Sequence, residues 1–344
     1  MRKRVVSIED IAKEAGVSHS TVSRALRDSP LISPVVRNQI QQLALSMGYI
    51  PNAIAQSLHN QQTNTIGLVV SSFSDPYFAE LIRGVEEIAN PRGLSVVLTA
   101  SHKDPAQEVA MIENLQRRRV DGLLIADSLA SRLDLDRIAQ AAIPAVLVNR
   151  QAEEPVASLP SVSVDDETGM GLAVEHLVAS GHRAIGYLGL ENRPRTNQAR
   201  LSGYRKGLAR AGIEVDPTRE IIIPSSKLHG MEEVEAGQAY LEQLLAAGVS
   251  AICCYNDMLA VGLLMACHES KRAVPEELSI VGYDDISLTR YVTPALTTVH
   301  QPVIELGRQA MQMILDMLEG RQASDQVLLP GLVVRASTGP RTHA

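Results

Sequence analysis

The sequence predicts an α/β protein: an N-terminal all-α helix-turn-helix head followed by two doubly wound parallel-sheet lobes. Three observations carry that prediction. Two short helical patterns meet at a glycine near the start of the chain. From Thr65 onward, near-continuous Val/Ile/Leu strands alternate with amphipathic helices, the pattern of parallel sheets covered on both faces. That alternation runs through two successive series, and 344 residues suffice for two or three domains.

The head comes first. Ser7 with Asp10 three residues on is a capping-box pattern that starts a helix at Ile8. Gly16 is the residue type that ends such a helix in a left-handed conformation. Ser18 then caps a second helix running to about Leu26, with Val22, Ala25 and Leu26 on its apolar face. Helices joined by a glycine-containing turn form the motif whose second member enters the DNA major groove; a plain helical hairpin is the alternative. Ser33-Pro34 opens a third helix, in which Val36, Ile40, Leu43, Ala44 and Met47 recur at helical spacing before Gly48 stops it. These three helices close a core within residues 1–50. Asn52 can cap a helix of about eight residues, too short to persist alone in water, and Gln61–Asn64 is a polar linker. Residues 51–63 are therefore expected to order only against a partner.

In the body, strands are predicted near Ile66–Val70, Ser95–Thr99, Asp121–Ile125 and Ala145–Val148. A second series follows near Ser161–Val164, Ala184–Leu188, Glu220–Ile223, Ser250–Tyr255 and Leu278–Gly282. Helices are expected over Pro76–Asn90, Thr168–Ala179, Arg200–Ala211, Met231–Leu245 and Met258–Ser270. Ligands of such folds bind at the carboxyl ends of the strands, here the cleft between the lobes.

Composition excludes several functions. Net charge is −7, yet residues 1–62 carry +3 and the remainder −10, a basic head on an acidic body. Three cysteines, two of them adjacent (Cys253, Cys254), give no disulfide framework and no zinc spacing, so they read as inert core. The start shows no apolar signal core, and no apolar run reaches membrane-spanning length. A cytoplasmic protein is expected, on the bacterial nucleoid if it binds DNA. No phosphate loop, dinucleotide glycine fingerprint, metal cluster or nucleophile elbow is legible, so neither a cofactor nor a metal is expected.

Several stretches resemble the LacI/GalR family of bacterial transcription regulators. They are Ile11–Ser18, Thr21–Leu26, Gly48–Asn52, Thr65–Val69, Arg119–Leu124, Gly181–Gly186, Val281–Asp285 and Pro294–Pro302, in family order and spanning essentially the whole chain. The resemblance implies a periplasmic-binding-protein-like body whose chain crosses between lobes three times. Carried over, the N-terminal lobe is 64–162 plus 293–324 and the C-terminal lobe 163–292 plus 325–340.

By the same resemblance, His19 and Ser20 fall at base-reading positions, with Arg24 one turn on. A guanidinium can donate two parallel hydrogen bonds to guanine; the alternative for Arg24 is a solvated surface arginine. Ser18, Thr21 and Ser23 read as phosphate contacts. In the family the hinge helices of two chains pair in the minor groove. Leu58 falls at the wedge position, or packs within the dimer; Asn52 caps the hinge and Ala55 permits close approach. Effector contacts are implied at Asp75, Tyr77, Phe78, Arg200, Asn256, Asp284 and Gln301, with Ser128 and Asn149 at the ends of their strands. Tyr77 and Phe78 could equally be core, Asp284 could cap a turn, and Asp257 is expected to cap the helix after Asn256.

This set favours a sugar or related polyol as effector. A nucleoside or purine stacked on Tyr77 or Phe78 is the runner-up, and the arginines of Asn192–Thr196 leave a phosphorylated ligand open. The implied partners are palindromic double-stranded operator DNA, a small-molecule effector and a second copy of the chain, with no membrane. The function expected is a ligand-controlled repressor. A sugar-binding transport protein would suit the body but not the head, and an enzyme finds no nucleophile–base pair in the cleft. The tail from Gly331 lacks leucine heptads, so a dimer is expected over a tetramer.

Overall fold

A computed structural model describes residues 6–49, 62–141, 143–150, 159–228 and 231–341. The chain divides into two compact units, 1–63 and 64–344.

The first unit is built by local signals. Helix α1 (Ile8–Ala15) starts on the Ser7/Asp10 capping box and ends at Gly16, φ +65°. Helix α2 (His19–Ala25) starts where Ser18 Oγ accepts from the Thr21 backbone N–H at 3.2 Å. Helix α3 (Pro34–Ser46) has proline in its first turn. Ile11, Ala12, Val22, Ala25, Ile40 and Ala44 form the buried centre that holds the three together.

The second unit contains two six-stranded sheets. The first is ordered β11-β5-β4-β3-β1-β2 and the second β12-β10-β9-β8-β6-β7. In chain order the first sheet's leading strands are β1 (Thr65–Val70), β2 (Ser95–Ala100), β3 (Gly122–Ala126), β4 (Ala145–Val148) and β5 (Ser161–Val164). The second sheet is led by β6 (Ile185–Leu190), β7 (Glu220–Ile223), β8 (Ala251–Cys254), β9 (Ser279–Asp284) and β10 (Thr297–His300). The last short strands are β11 (Gln326–Leu328) and β12 (Gly331–Val333). Every pairing is parallel except β10 with β12. Apolar clusters lie on each sheet, and the paired helices cover them.

Three assignments of chain to lobe are corrected. Strand β5 pairs with β4, so residues 161–164 end the first lobe and do not open the second. Strand β10, assigned above to the N-terminal lobe, pairs with β9 of the second sheet, Thr297 opposite Val281. Strand β11, assigned to the C-terminal lobe, pairs with β5, Gln326 opposite Val162. A short apolar strand carries the same signature in either sheet; backbone register alone decides which edge it joins. The chain still crosses three times, after β5, after β10 and after β11.

The helices of this unit begin with α4 (Pro76–Ala89), α5 (Pro105–Arg117), α6 (Arg132–Gln140), α7 (Asp166–Ala179) and α8 (Pro194–Arg210), of which α4 and α8 carry cleft residues. They are followed by α9 (Glu233–Ala239), α10 (Leu241–Ala246), α11 (Asp257–Glu269) and α12 (Val303–Leu318). Helix α8 begins six residues before the predicted Arg200, because Pro194 supplies a pre-set first turn. The helix predicted over Met231–Leu245 is two, α9 and α10, separated at Tyr240. Helix α4 is anchored by direct backbone contact with α12. A Cβ at Gly84 would lie 2.0 Å from the Ile304 carbonyl oxygen, and one at Gly307 2.3 Å from that of Leu81. Only glycine permits this approach, and it fixes the helix whose first turn carries Asp75, Tyr77 and Phe78.

Candidate functional site

Two polar constellations stand out, one in each unit. In the head, Ser18, His19, Ser20 and Arg24 are exposed, with Thr21 and Ser23 half-buried. Ser18 Oγ lies 2.8 Å from Ser20 Oγ and 2.9 Å from Thr21 Oγ1. Arg27 donates to Ser23 Oγ at 2.6 Å. One face of α2 is sunk through Val22 and Ala25, and the opposite face presents hydroxyls, an imidazole and a guanidinium outward. Asn52, Ala55 and Leu58 lie outside the described residues.

In the body, one pocket is lined by Asp75, Tyr77, Phe78, Asp127, Asn149, Arg193, Arg200, Tyr255, Asn256, Asp284 and Gln301. Its walls come from the ends of β3, β4, β8 and β9 and from the starts of α4 and α8, on both sheets. Three wall residues sit in positive-φ backbone directly at strand ends: Asp127 (+55°), Asn149 (+54°) and Asp284 (+115°). Asp and Asn tolerate this region because their short side chains bond locally, and the turn swings each side chain off its strand.

Arg200 is the centre of the second-lobe wall. Its Nε donates to Asp166 Oδ1 at 2.9 Å and its Nη1 to the Tyr255 carbonyl at 2.5 Å. Its Nη2 is 3.6 Å from Asp284 Oδ1. The guanidinium also lies 4.5 Å from the Tyr255 ring centre and 3.7 Å from that of Tyr283. Gln301 Nε2 donates to Asp284 Oδ1 at 2.6 Å. Burial pushes the Asp284 carboxyl well above the ordinary carboxylate range, with Asp257 and Asp75 adding repulsion that Arg200 and the Gln301 amide only partly offset. Burial likewise raises Asp75 against the pull of Arg193.

Arg193 reaches from the second lobe to the first. It donates to Ser71 Oγ at 3.1 Å, pairs with Asp75 at 3.4 Å, and pairs closely with Asp127. Asp75 also caps α4, accepting from the Tyr77 N–H at 3.1 Å. Tyr77 and Phe78 meet edge to face at 5.3 Å, and both belong to the first lobe's apolar cluster while facing the cavity. Among the described residues, Tyr77 Oη, Asn149 Oδ1, Gln301 Oε1 and Arg193 Nε are buried without a hydrogen-bond partner.

Of the nine residues expected in the cleft, eight line it. Ser128 does not: it is buried one residue away, donating to Glu108 and accepting from Arg150 Nη1 at 3.3 Å. The left-handed turn at Asp127 points that residue inward in its place. Asp127, Arg193 and Tyr255 were missed. The first two had signals: an aspartate ending the apolar run Gly122–Ala126, and the arginine-rich segment at the start of α8, from which Arg195 instead donates to the Ser128 carbonyl at 3.1 Å. Asn256, and not Asp257, caps α11, accepting from the Leu259 N–H at 3.0 Å. Asp257 is fully buried and bonded by Thr298 Oγ1 at 2.6 Å and the Ile286 N–H at 2.9 Å. The three cysteines are free and buried. Among the described residues there is no group of side chains that could hold a metal and no helix long and apolar enough to cross a membrane.

A helix-turn-helix unit in one chain with a two-lobed body and a polar cleft is the architecture of a transcription regulator, not of an enzyme. Residues 7–52 match the family "bacterial regulatory proteins, lacI family", and residues 174–338 match a periplasmic binding protein-like domain. The chain is 34% identical to the HTH-type transcriptional repressor CytR of Escherichia coli strain K12, over 98% of this chain and 97% of that protein. The structure of a Lac repressor dimer bound to operator and the anti-inducer ONPF superposes with a TM-score of 0.86 at 29% identity, covering 98% of this chain and all of that one. A LacI family regulator from Enterococcus faecium with bound ribose gives 0.71 at 29% identity, covering 81% of this chain and all of that one. The chain belongs to the LacI family of bacterial transcription regulators.

Proposed function

We propose that this chain is a homodimeric repressor whose grip on a palindromic operator is set by a neutral polyol, a sugar, bound in the cleft. Each head reads one half-site through Arg24, His19 and Ser20, with Ser18, Thr21 and Ser23 on phosphates; two half-sites require two chains. The hinge at Asn52, Ala55 and Leu58 transmits the state of the body to the DNA, and the protein works in the cytoplasm.

The observation that carries the sugar reading is the charge balance of the cavity. Asp75, Asp127 and Asp284 share the cavity wall with Arg193 and Arg200, and both arginines already pair with carboxylates. A phosphate or carboxylate ligand would find both guanidiniums already engaged and would bring a further negative charge beside carboxyls that burial already pushes up. Vicinal hydroxyls, which donate to carboxylates and accept from guanidinium and amide N–H groups, match this wall, as do the unpartnered Tyr77, Asn149 and Gln301 atoms. The ribose-bound relative supports the same class. Tyr77 and Phe78 in the wall favour a nucleoside as second reading, since a base could lie against them.

The test is a thermal-shift titration with a panel of pentoses, hexoses and nucleosides. A ligand held at 100 times its Kd stabilises the body by about 2.7 kcal/mol. Stabilisation by sugars and not by sugar phosphates is expected; stabilisation by phosphorylated ligands alone refutes the reading. Operator affinity measured with and without the active compound then tests the regulatory link.

A further inference from the structure

We propose that Glu233 is a positioning residue that couples the cleft amide of Asn256 to closure of the two lobes, with Lys103 as its partner from the opposite lobe. The inference rests on the cleft being the effector site.

Glu233 is the first residue of α9, in the second lobe. One carboxylate oxygen accepts from Asn256 Nδ2 at 2.5 Å; the other accepts from Lys103 Nζ at 2.9 Å. Lys103 follows β2 of the first lobe, so this single side chain is bonded on one side to a cavity-wall residue and on the other to the facing lobe. Both partners are shielded, with Lys103 28% and Glu233 13% exposed. Shielding makes the pair count for more than a solvated surface pair. Burial alone would push the Glu233 carboxyl up; Lys103, Arg193 and the Asn256 amide outweigh it and hold it below the usual glutamate range.

Position distinguishes this contact from the bridge that Arg193 makes between the lobes. Arg193 with Asp75 and Asp127 lies in the cavity wall, where a bound polyol competes for the same groups. Lys103 and Glu233 do not line the cavity, so their pair can persist over a bound ligand. Asn256 has its carbonyl oxygen committed to capping α11 and one amide hydrogen committed to Glu233. Its remaining amide hydrogen is thereby aimed, and the aim depends on Glu233 staying in place.

The test uses the full chain with spin labels on Glu113→Cys and Glu242→Cys, one exposed site in each lobe; the native cysteines are buried and stay unlabelled. In the parent the interlobe distance distribution of the unliganded protein is expected to be narrow. Lys103→Gln and Glu233→Gln are each expected to lengthen and broaden it, and the double variant no more than either single, because both remove the same contact. Distributions identical to the parent in both single variants overturn the closure role. The positioning role is read by titration with D-ribose. Glu233→Gln keeps an acceptor for the Asn256 amide, so ribose binding should weaken about threefold in it and in Lys103→Gln. Glu233→Ala removes that acceptor too and should weaken binding about tenfold. Equal affinities in Glu233→Gln and Glu233→Ala overturn the positioning role. Failure of the parent to bind any sugar would count against the sugar reading alone, since the label distances judge the coupling without ligand.

Discussion

The polar residues of the head and those of the cleft are prepared for recognition in opposite ways. On α2, His19, Ser20 and Arg24 are exposed, close in sequence and held by one short helix. In the cleft, Arg200, Asp284 and Gln301 are buried and linked through Asp284, and the buried Arg193 is bonded to Asp75 and Asp127, residues far away along the chain. A solvated guanidinium can meet a base edge at little cost to the protein. A buried, paired one can take a ligand only by exchanging one set of hydrogen bonds for another. Association at the head is therefore expected to be governed by charge and salt, and in the cleft by how closely the ligand replaces the bonds it breaks.

The largest effect should come from Arg200→Ala. It would leave the fully buried Asp166 without the guanidinium it pairs with, and urea unfolding of the body should show a loss of about 3–5 kcal/mol. A smaller loss would mean the cleft's charges are better hydrated than their burial indicates. Next is Ile11→Ala, at a fully buried position of a small core. The head should lose about 2–5 kcal/mol, and operator binding should vanish while the body's melting transition stays put. Arg24→Ala should leave both melting transitions in place and remove about 1–3 kcal/mol of discrimination between operator and mismatched duplex, read by competition gel shift. If it instead weakened all duplexes equally, Arg24 would be a phosphate contact. Ser18→Ala, which deletes the cap of α2, should cost the head about 1 kcal/mol.

The smallest effect is a pH slope in the body. His182 is buried, with Nδ1 2.9 Å from Ser250 Oγ and Nε2 3.1 Å from the Gly339 carbonyl. Burial holds its pKa below the ordinary histidine value. The folded protein therefore resists a proton that the unfolded chain accepts. This contribution is present above about pH 6.5 and is lost as pH falls through the depressed folded value. Raised carboxyls such as Asp284 act in the opposite sense, gaining stability as pH falls, so the His182 contribution is read as a difference: between pH 7 and pH 5 the melting temperature of the parent should fall relative to that of His182→Gln. An unchanged slope in that variant would assign the acid sensitivity elsewhere, His176 being the next group whose pKa burial depresses.

Legibility followed the range of the interactions. The helices of the head were readable nearly to the residue because Ser7, Gly16, Ser18 and Pro34 act on backbone within a turn of themselves. Strand positions were readable from apolar runs, but the sheet joined by β5, β10 and β11 was not, since pairing partners lie far along the chain. Eight cleft residues were named through family position. Strand-end position points to Ser128, but a one-residue turn at φ +55° turns Asp127 inward instead. Acidic residues suit helix starts, so Asp257 reads as a cap, but Asn256 holds the extended backbone that a cap requires, φ −146° and ψ 177°.

By itself, the sequence determined the two kinds of unit, their order, the reading helix and most of the polar groups of the cleft, because capping, periodicity and strand composition are local physics. Tertiary structure alone decided which strands share a sheet, that Arg193 spans to Asp75 and Asp127, and that Glu233 joins Asn256 to Lys103. Those outcomes depend on backbone register and on charges brought together from opposite lobes, and neither leaves a mark on any short stretch of chain.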